Sequence, residues 1–136
     1  MVRVKRRYVL VSVRFLSETA SLTSGSICHS IRDVVEQLYG DFGIACLLRA
    51  FSIKRLDQDS GHGIIATRKG THAIVMAAIP LVTSINRQPC AIDILHLSGT
   101  IKGCLKESKK HHLKFIRKSL SQKMKNEKLE QLLQLN

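Results

Sequence analysis

The spacing of apolar residues along this chain switches between a period of two and a period near 3.6, and the order of those switches leaves few folds open. Val9, Val11, Val13 and Phe15 alternate, which predicts a strand over residues 5–16. Beyond the polar stretch SETASLTSGS, Ile27, Ile31, Val34, Val35 and Leu38 recur at helical spacing, with Ser24 or Ser26 as N-cap and Gly40 as the stop. The run IACLLRAFSI, within residues 43–56, is rich in strand formers and predicts a second strand; LDQDSGHG reads as a turn and GIIATRKG as a third strand. Thr71 is placed to cap a second helix striped by Ile74, Ala77, Ala78, Leu81 and Ile85, which Pro80 should kink or divide. After NRQP, CAIDILHLS predicts a fourth strand ending at Gly99. From Thr100 onward Ile101, Leu105, Ile116, Leu120 and Met124 keep a helical stripe with a gap at Ser108.

The order is β-α-β-β-α-β followed by a helix, the split βαβ of an α+β, ferredoxin-like (RRM-like) sandwich with an additional basic C-terminal helix. At 136 residues the chain supports one core. The expected division is a sandwich domain over 1–110 and a lysine-rich helical extension over 111–136. Two helices would cover one sheet face. The other face also carries apolar side chains, Tyr8 and Leu10 on the first strand and Leu95 and Leu97 on the fourth, and would not stay bare in water. Either the third helix folds over it or a partner does, which makes Leu10, Leu95 and Leu97 candidate partner-binding residues.

Charge decides what kind of partner to expect. Of the net +12, Arg3, Lys5, Arg6 and Arg7 supply +4 and residues 99–128 supply +8, whereas residues 9–98 are nearly balanced. Two basic ends on a neutral body are the electrostatic footprint of a polyanion binder; a solvated helix face or a solubility tail is the other reading of such a lysine run. The chain has four Phe, two Tyr and no Trp, and its third strand offers Ile64 and Ile65 where an RNA-recognition motif places stacking aromatics. Contacts to phosphates and to the shape of folded RNA are therefore expected to outweigh base stacking. In LHLSGTIKG a strand ends, Gly99 permits a turn and a helix starts at Thr100 beside Lys102, a good setting for a phosphate, with His96 just before it. The alternative is a plain turn with Ser98 as N-cap and His96 half-buried.

Other classes find little support. No stretch approaches the roughly 20 apolar residues of a membrane span, and no small-residue cleavage site follows the first apolar run, so an intracellular, soluble protein is expected. Cys28, Cys46, Cys90 and Cys104 form no CxxC pair and have no His at zinc spacing, which points to reduced thiols and no bound metal. No Ser, His and acid, and no Cys and His, are brought together by any predictable register, and the glycines fit neither the dinucleotide nor the P-loop spacing. No catalytic residues are assigned.

Four blocks of the sequence resemble a known family. MVRVKRRYVLV, YGDFGIA, AIPLVTSIN and HLSGTIKGC occur in the order found in the Pop-five protein subunits of ribonuclease P and ribonuclease MRP, and the likeness runs from Met1 to about Lys110. The resemblance implies a noncatalytic, RNA-binding subunit of a ribonucleoprotein endonuclease. The RNA of that particle cleaves the 5′ leader from precursor tRNA or processes precursor rRNA, with Mg2+ serving the RNA and no cofactor held by this chain. It implies as partners the catalytic RNA, precursor tRNA, a TIM-barrel-like subunit and the particle's other proteins, and, for a eukaryotic member, the nucleus and nucleolus. Carried over by position, Arg3, Lys5, Arg6, Arg7, Tyr8, His96, Ser98, Gly99, Thr100 and Lys102 become RNA-contact candidates. The pattern is left after Lys110, so Lys106, Lys109, Lys110, Lys114 and Lys118 are given an electrostatic role alone. The competing class is a ferredoxin-like protein-interaction module that touches no RNA, its lysines serving solubility or nuclear import.

Overall fold

The computed structural model describes residues 5–16, 22–48, 51–58 and 60–134. Its elements are β1 (Arg6–Phe15), α1 (Ser24–Leu47), β2 (Ser52–Leu56), β3 (His62–Arg68), α2 (His72–Ala78), a 3-10 turn (Ile79–Leu81), β4 (Ser84–Ile85), β5 (Gln88–Ser98) and α3 (Ile101–Gln134). All strand pairings are antiparallel and the sheet order is β2-β3-β1-β5-β4. The chain is thus α+β, with β1 at the centre of its sheet.

Several boundaries differ from the sequence expectation, each for a physical reason. Thr23 is the N-cap of α1: its hydroxyl accepts from the Ser26 amide at 3.3 Å while the Ser26 hydroxyl accepts from the Thr23 amide, a capping box that uses Ser26 at N3. Gly40 does break the helix, with φ 62, but the chain resumes helical geometry to Leu47. Gly43 explains why. A side-chain carbon there would lie 2.7 Å from Tyr39 Cβ and 2.8 Å from Val35 Cγ1, so only glycine lets the resumed turn settle on the preceding one and bury Leu47. Residues 44–47 are therefore helix despite their strand-forming composition, and β2 shrinks to Ser52–Leu56. Pro80 does more than divide the second helix: α2 stops at Ala78, Leu81 falls in the 3-10 turn that holds the proline, and Ile85, expected on the helical stripe, lies in β4. Thr71 precedes α2 without a side-chain cap bond. NRQP hides a hairpin: Asn86 and Arg87 take φ of 52 and 64, the left-handed pair of a two-residue turn, and join β4 to an extended β5.

One face of the sheet packs on α1 and α2 through Val9, Val11, Val13, Ile27, Ile31, Val35, Ile65, Val75 and Ile79. The other face is covered by the first turns of α3, where Leu10, Ile64 and Cys104 are buried among Tyr8, Leu95, Ile101 and Leu105. The question left open by the sequence is thus answered within the chain, and Leu10, fully buried, is not available to a partner as the sequence expectation had it. A register shift between Leu10 and Val11 separates Leu95 from Leu97: Leu97 lies opposite Val9, on the α1 side, and remains 37% exposed.

Candidate nucleic-acid interface

The register of β1 brings cations together that are far apart in sequence. Arg6 pairs directly with Arg68 and Arg7 with Thr67, and the Lys69 amide donates to the Lys5 carbonyl at 2.9 Å. On the other side of β1, Tyr8 pairs with Ser98. The Arg7 guanidinium reaches over the turn after β5, its Nη1 3.2 Å from where a Gly99 side chain would begin. Lys102 then projects, exposed, from the first turn of α3. Lys5, Arg6, Arg7, Arg68, Lys69 and Lys102 thus collect at one end of the sheet, and among the described residues none of the six is in an ion pair. Like charges directly opposite each other on antiparallel strands repel. Arg6 and Arg68, both exposed, face each other in this way.

The start of α3 is capped by its own side chains. Thr100 is the N-cap, its hydroxyl accepting from the Gly103 amide at 3.1 Å, and the Ser98 hydroxyl accepts from the Thr100 amide at 3.2 Å. Ser98 therefore organises the turn one step before the helix, and two of the amides predicted to face a phosphate are already satisfied. Gly103 is close-packed on that turn, a side-chain carbon there colliding with the Ser98 hydroxyl. Tyr8 is half-buried in the second core, its carbonyl accepting from the Cys104 thiol at 3.4 Å. His96 lies opposite Leu10 on the α3 face, near enough to Glu107 to favour its charged form. Burial works against the Glu107 carboxylate, but the hydrogen bond and charge of Lys110, at 3.4 Å, outweigh it and hold the carboxyl below its usual value. Lys106 and Lys109 are exposed along the same helix, and Lys114 and Lys118 lie further out. Arg3 lies outside the described residues.

Sequence reasoning missed Arg68 and Lys69, which belong to a segment whose charges nearly cancel. The signal was available: an antiparallel pairing of β1 with β3 places the end of TRKG against the start of RRY.

The structure also brings together three groups that no register predicted. His62 Nδ1 and the Ser108 hydroxyl lie 2.7 Å apart, beside Asp57, in a cavity of about 360 Å³ floored by Leu10, Ile64 and Leu105. Burial, then the positive charge of His111 and His112, push the imidazole pKa down, and Asp57 opposes this only in part. The His62–Ser108 contact ties α3 to the start of β3. Among the described residues no cluster of three or more His, Cys, Asp or Glu could hold a metal. Burial raises the thiol pKa of Cys28, Cys90 and Cys104.

Comparison with known proteins adds ancestry to this geometry. A sequence profile described as the Rpp14/Pop5 family matches residues 7–109. The chain is 32% identical over 112 residues to the ribonuclease P/MRP protein subunit POP5 of Bos taurus, a match over 78% of this chain and 66% of that protein, so it spans about two thirds of its relative's length. It is 31% identical over 114 residues to the Homo sapiens POP5 subunit, over 78% of this chain and 69% of that one. For the Schizosaccharomyces pombe POP5 subunit the identity is 27% over 113 residues, with 75% and 81% covered. A chain in the cryo-EM structure of yeast ribonuclease MRP superposes with a TM-score of 0.58 at 13% identity, over 88% of this chain and 98% of that one, a likeness of fold. With the profile spanning most of its length, this chain is a member of the Rpp14/Pop5 family.

Proposed function

We propose that the chain is a noncatalytic protein subunit of a ribonuclease P or ribonuclease MRP particle that grips folded RNA through the basic end of its sheet. The observation that carries this reading is the Arg6–Arg68 pair: two exposed arginines at directly opposed positions of β1 and β3, with no acid paired to either among the described residues, beside Arg7 and Lys102. Such an arrangement costs folding energy and is relieved by a polyanion. Family membership supplies the particle. In this reading Lys5, Arg6, Arg7, Gly99, Thr100 and Lys102 contact phosphates, joined by Arg68 and Lys69. Ser98 shapes the turn, while His96 and Tyr8 act from the second core. The strand order β2-β3-β1-β5 and the helices on the α1 side support a ferredoxin-like description, extended by β4 and the lysine-rich α3.

In the particle the RNA cleaves the 5′ leader of precursor tRNA or processes precursor rRNA, with Mg2+ serving the RNA. Among the described residues no cluster of three or more His, Cys, Asp or Glu could hold a metal for this chain's own use. A TIM-barrel-like subunit is the proposed protein neighbour, and a nuclear, nucleolar location follows for a eukaryotic cell. Purification of the tagged chain from cells, followed by sequencing of the bound RNA, tests the reading. The ribonuclease P or MRP RNA should be strongly enriched. Recovery of protein subunits from a particle stripped of those RNAs, with no RNA bound by the chain itself, would overturn it.

A further inference from the structure

α3 touches the sheet only through its first turns. From His112 to Gln134 every residue is exposed, a helical rod of about 35 Å at the usual rise of 1.5 Å per residue. The family match ends at residue 109, before this rod begins. A helix in water draws most of its stability from burying a face, and this one buries none. Yet it has a face to bury. Leu113, Ile116, Leu120 and Met124, spaced by three, four and four residues, are 54%, 40%, 55% and 63% exposed along one side. Cations crowd that stripe: residues 108–126 hold seven Lys or Arg and no Asp or Glu. At its far end Leu120 and Met124 form a shallow hollow rimmed by Arg117, Lys125 and Lys128.

An RNA would neutralise the lysines and leave the stripe in water. A bilayer surface needs one broad apolar face, whereas Phe115, Leu129 and Leu133, also exposed, fall at helical spacing on the side opposite this stripe. A second copy would bring another dense cationic helix against the first. An apolar groove with an acidic rim satisfies both features at once, because a helix in a groove is read through anchors at this spacing and held in register by charge. We propose that residues 109–126 of α3 are a docking helix for an acidic protein with a methionine-lined apolar groove, of the kind that calcium opens in EF-hand sensors.

Calorimetric titration of the full chain with calmodulin, in calcium and then in chelator, tests this. The expected result is a saturable one-to-one complex in calcium that is lost in chelator. Replacing Ile116 and Leu120 together by Gln, which keeps helix propensity and touches no core residue, should weaken it at least tenfold while circular dichroism and RNA affinity stay unchanged. The absence of a saturable complex in calcium overturns the proposal. So does a complex that persists in chelator or is indifferent to the Gln pair, since charge alone would then explain it. Loss, through the Gln pair, of binding to phosphatidylserine vesicles or of self-association, without a calmodulin complex, would assign the stripe to a membrane or to a second copy instead.

Discussion

Arg6 and Arg68 face each other across β1 and β3, and their repulsion separates a binding role from a structural one. Arg68→Ala should leave the melting temperature unchanged or raise it, since it relieves a like-charge pair of about 0.2–1 kcal/mol. The same substitution should lower RNA affinity and flatten its salt dependence by about one unit of slope. A melting curve beside a binding curve checks both, and a fall in stability with unaltered binding would mark the arginine as structural. Gly61 is the opposite kind of residue. Its φ is 73, its carbonyl accepts from the Val13 amide at 2.8 Å, and a side-chain carbon would come within 2.5 Å of the Val13 carbonyl oxygen. Gly61→Ala should therefore destabilise the fold by about 1–3 kcal/mol in urea titration without altering the slope of RNA binding with salt.

At the scale of elements, the seam between α3 and the sheet decides whether the basic helix stays near the basic sheet end. Leu10 is wholly buried in that seam, and Leu10→Ala should cost about 2–5 kcal/mol in the same titration. The seam is also sensitive to acid. The folded His62 pKa lies below its ordinary value of about 6.5, so the neutral ring is the one the fold favours. Its contribution is intact above that value and falls as pH drops through it, because the unfolded chain then takes up more protons. Amide exchange at residues 104–108, corrected for its intrinsic pH dependence, should show less protection at pH 5 than at pH 8, and His62→Gln should remove most of the difference. Most of these elements were legible in the sequence because period-two and period-3.6 patterns mark which face each buries. What escaped was decided by contacts across elements. Gly43 against Val35 and Tyr39 made helix of a strand-like run, and the bulge beside Leu10 placed Leu95 and Leu97 on different faces. The Asn86–Arg87 hairpin lacked the glycine that usually announces such a turn.

For the whole molecule, the candidate site was half legible. The charge distribution pointed to both ends of the chain, and β1 at the centre of the sheet explains how they meet: Tyr8 pairs with Ser98, and α3 starts three residues later. The contribution of β3 could not be seen from segment charges, because Arg68 and Lys69 are cancelled there by acids elsewhere along the chain. The resulting claim is that one continuous cationic surface, formed by the ends of β1 and β3 and the start of α3, neutralises RNA phosphates. The direct test is filter binding of the chain to the ribonuclease P RNA across a salt series, repeated with Arg6→Ala/Arg68→Ala. Neutralising about six phosphates predicts a fall in log affinity with log salt of slope roughly −5, and the double variant should lose about two units of that slope. A flat salt response, or a double variant whose slope matches the parent, would contradict the claim.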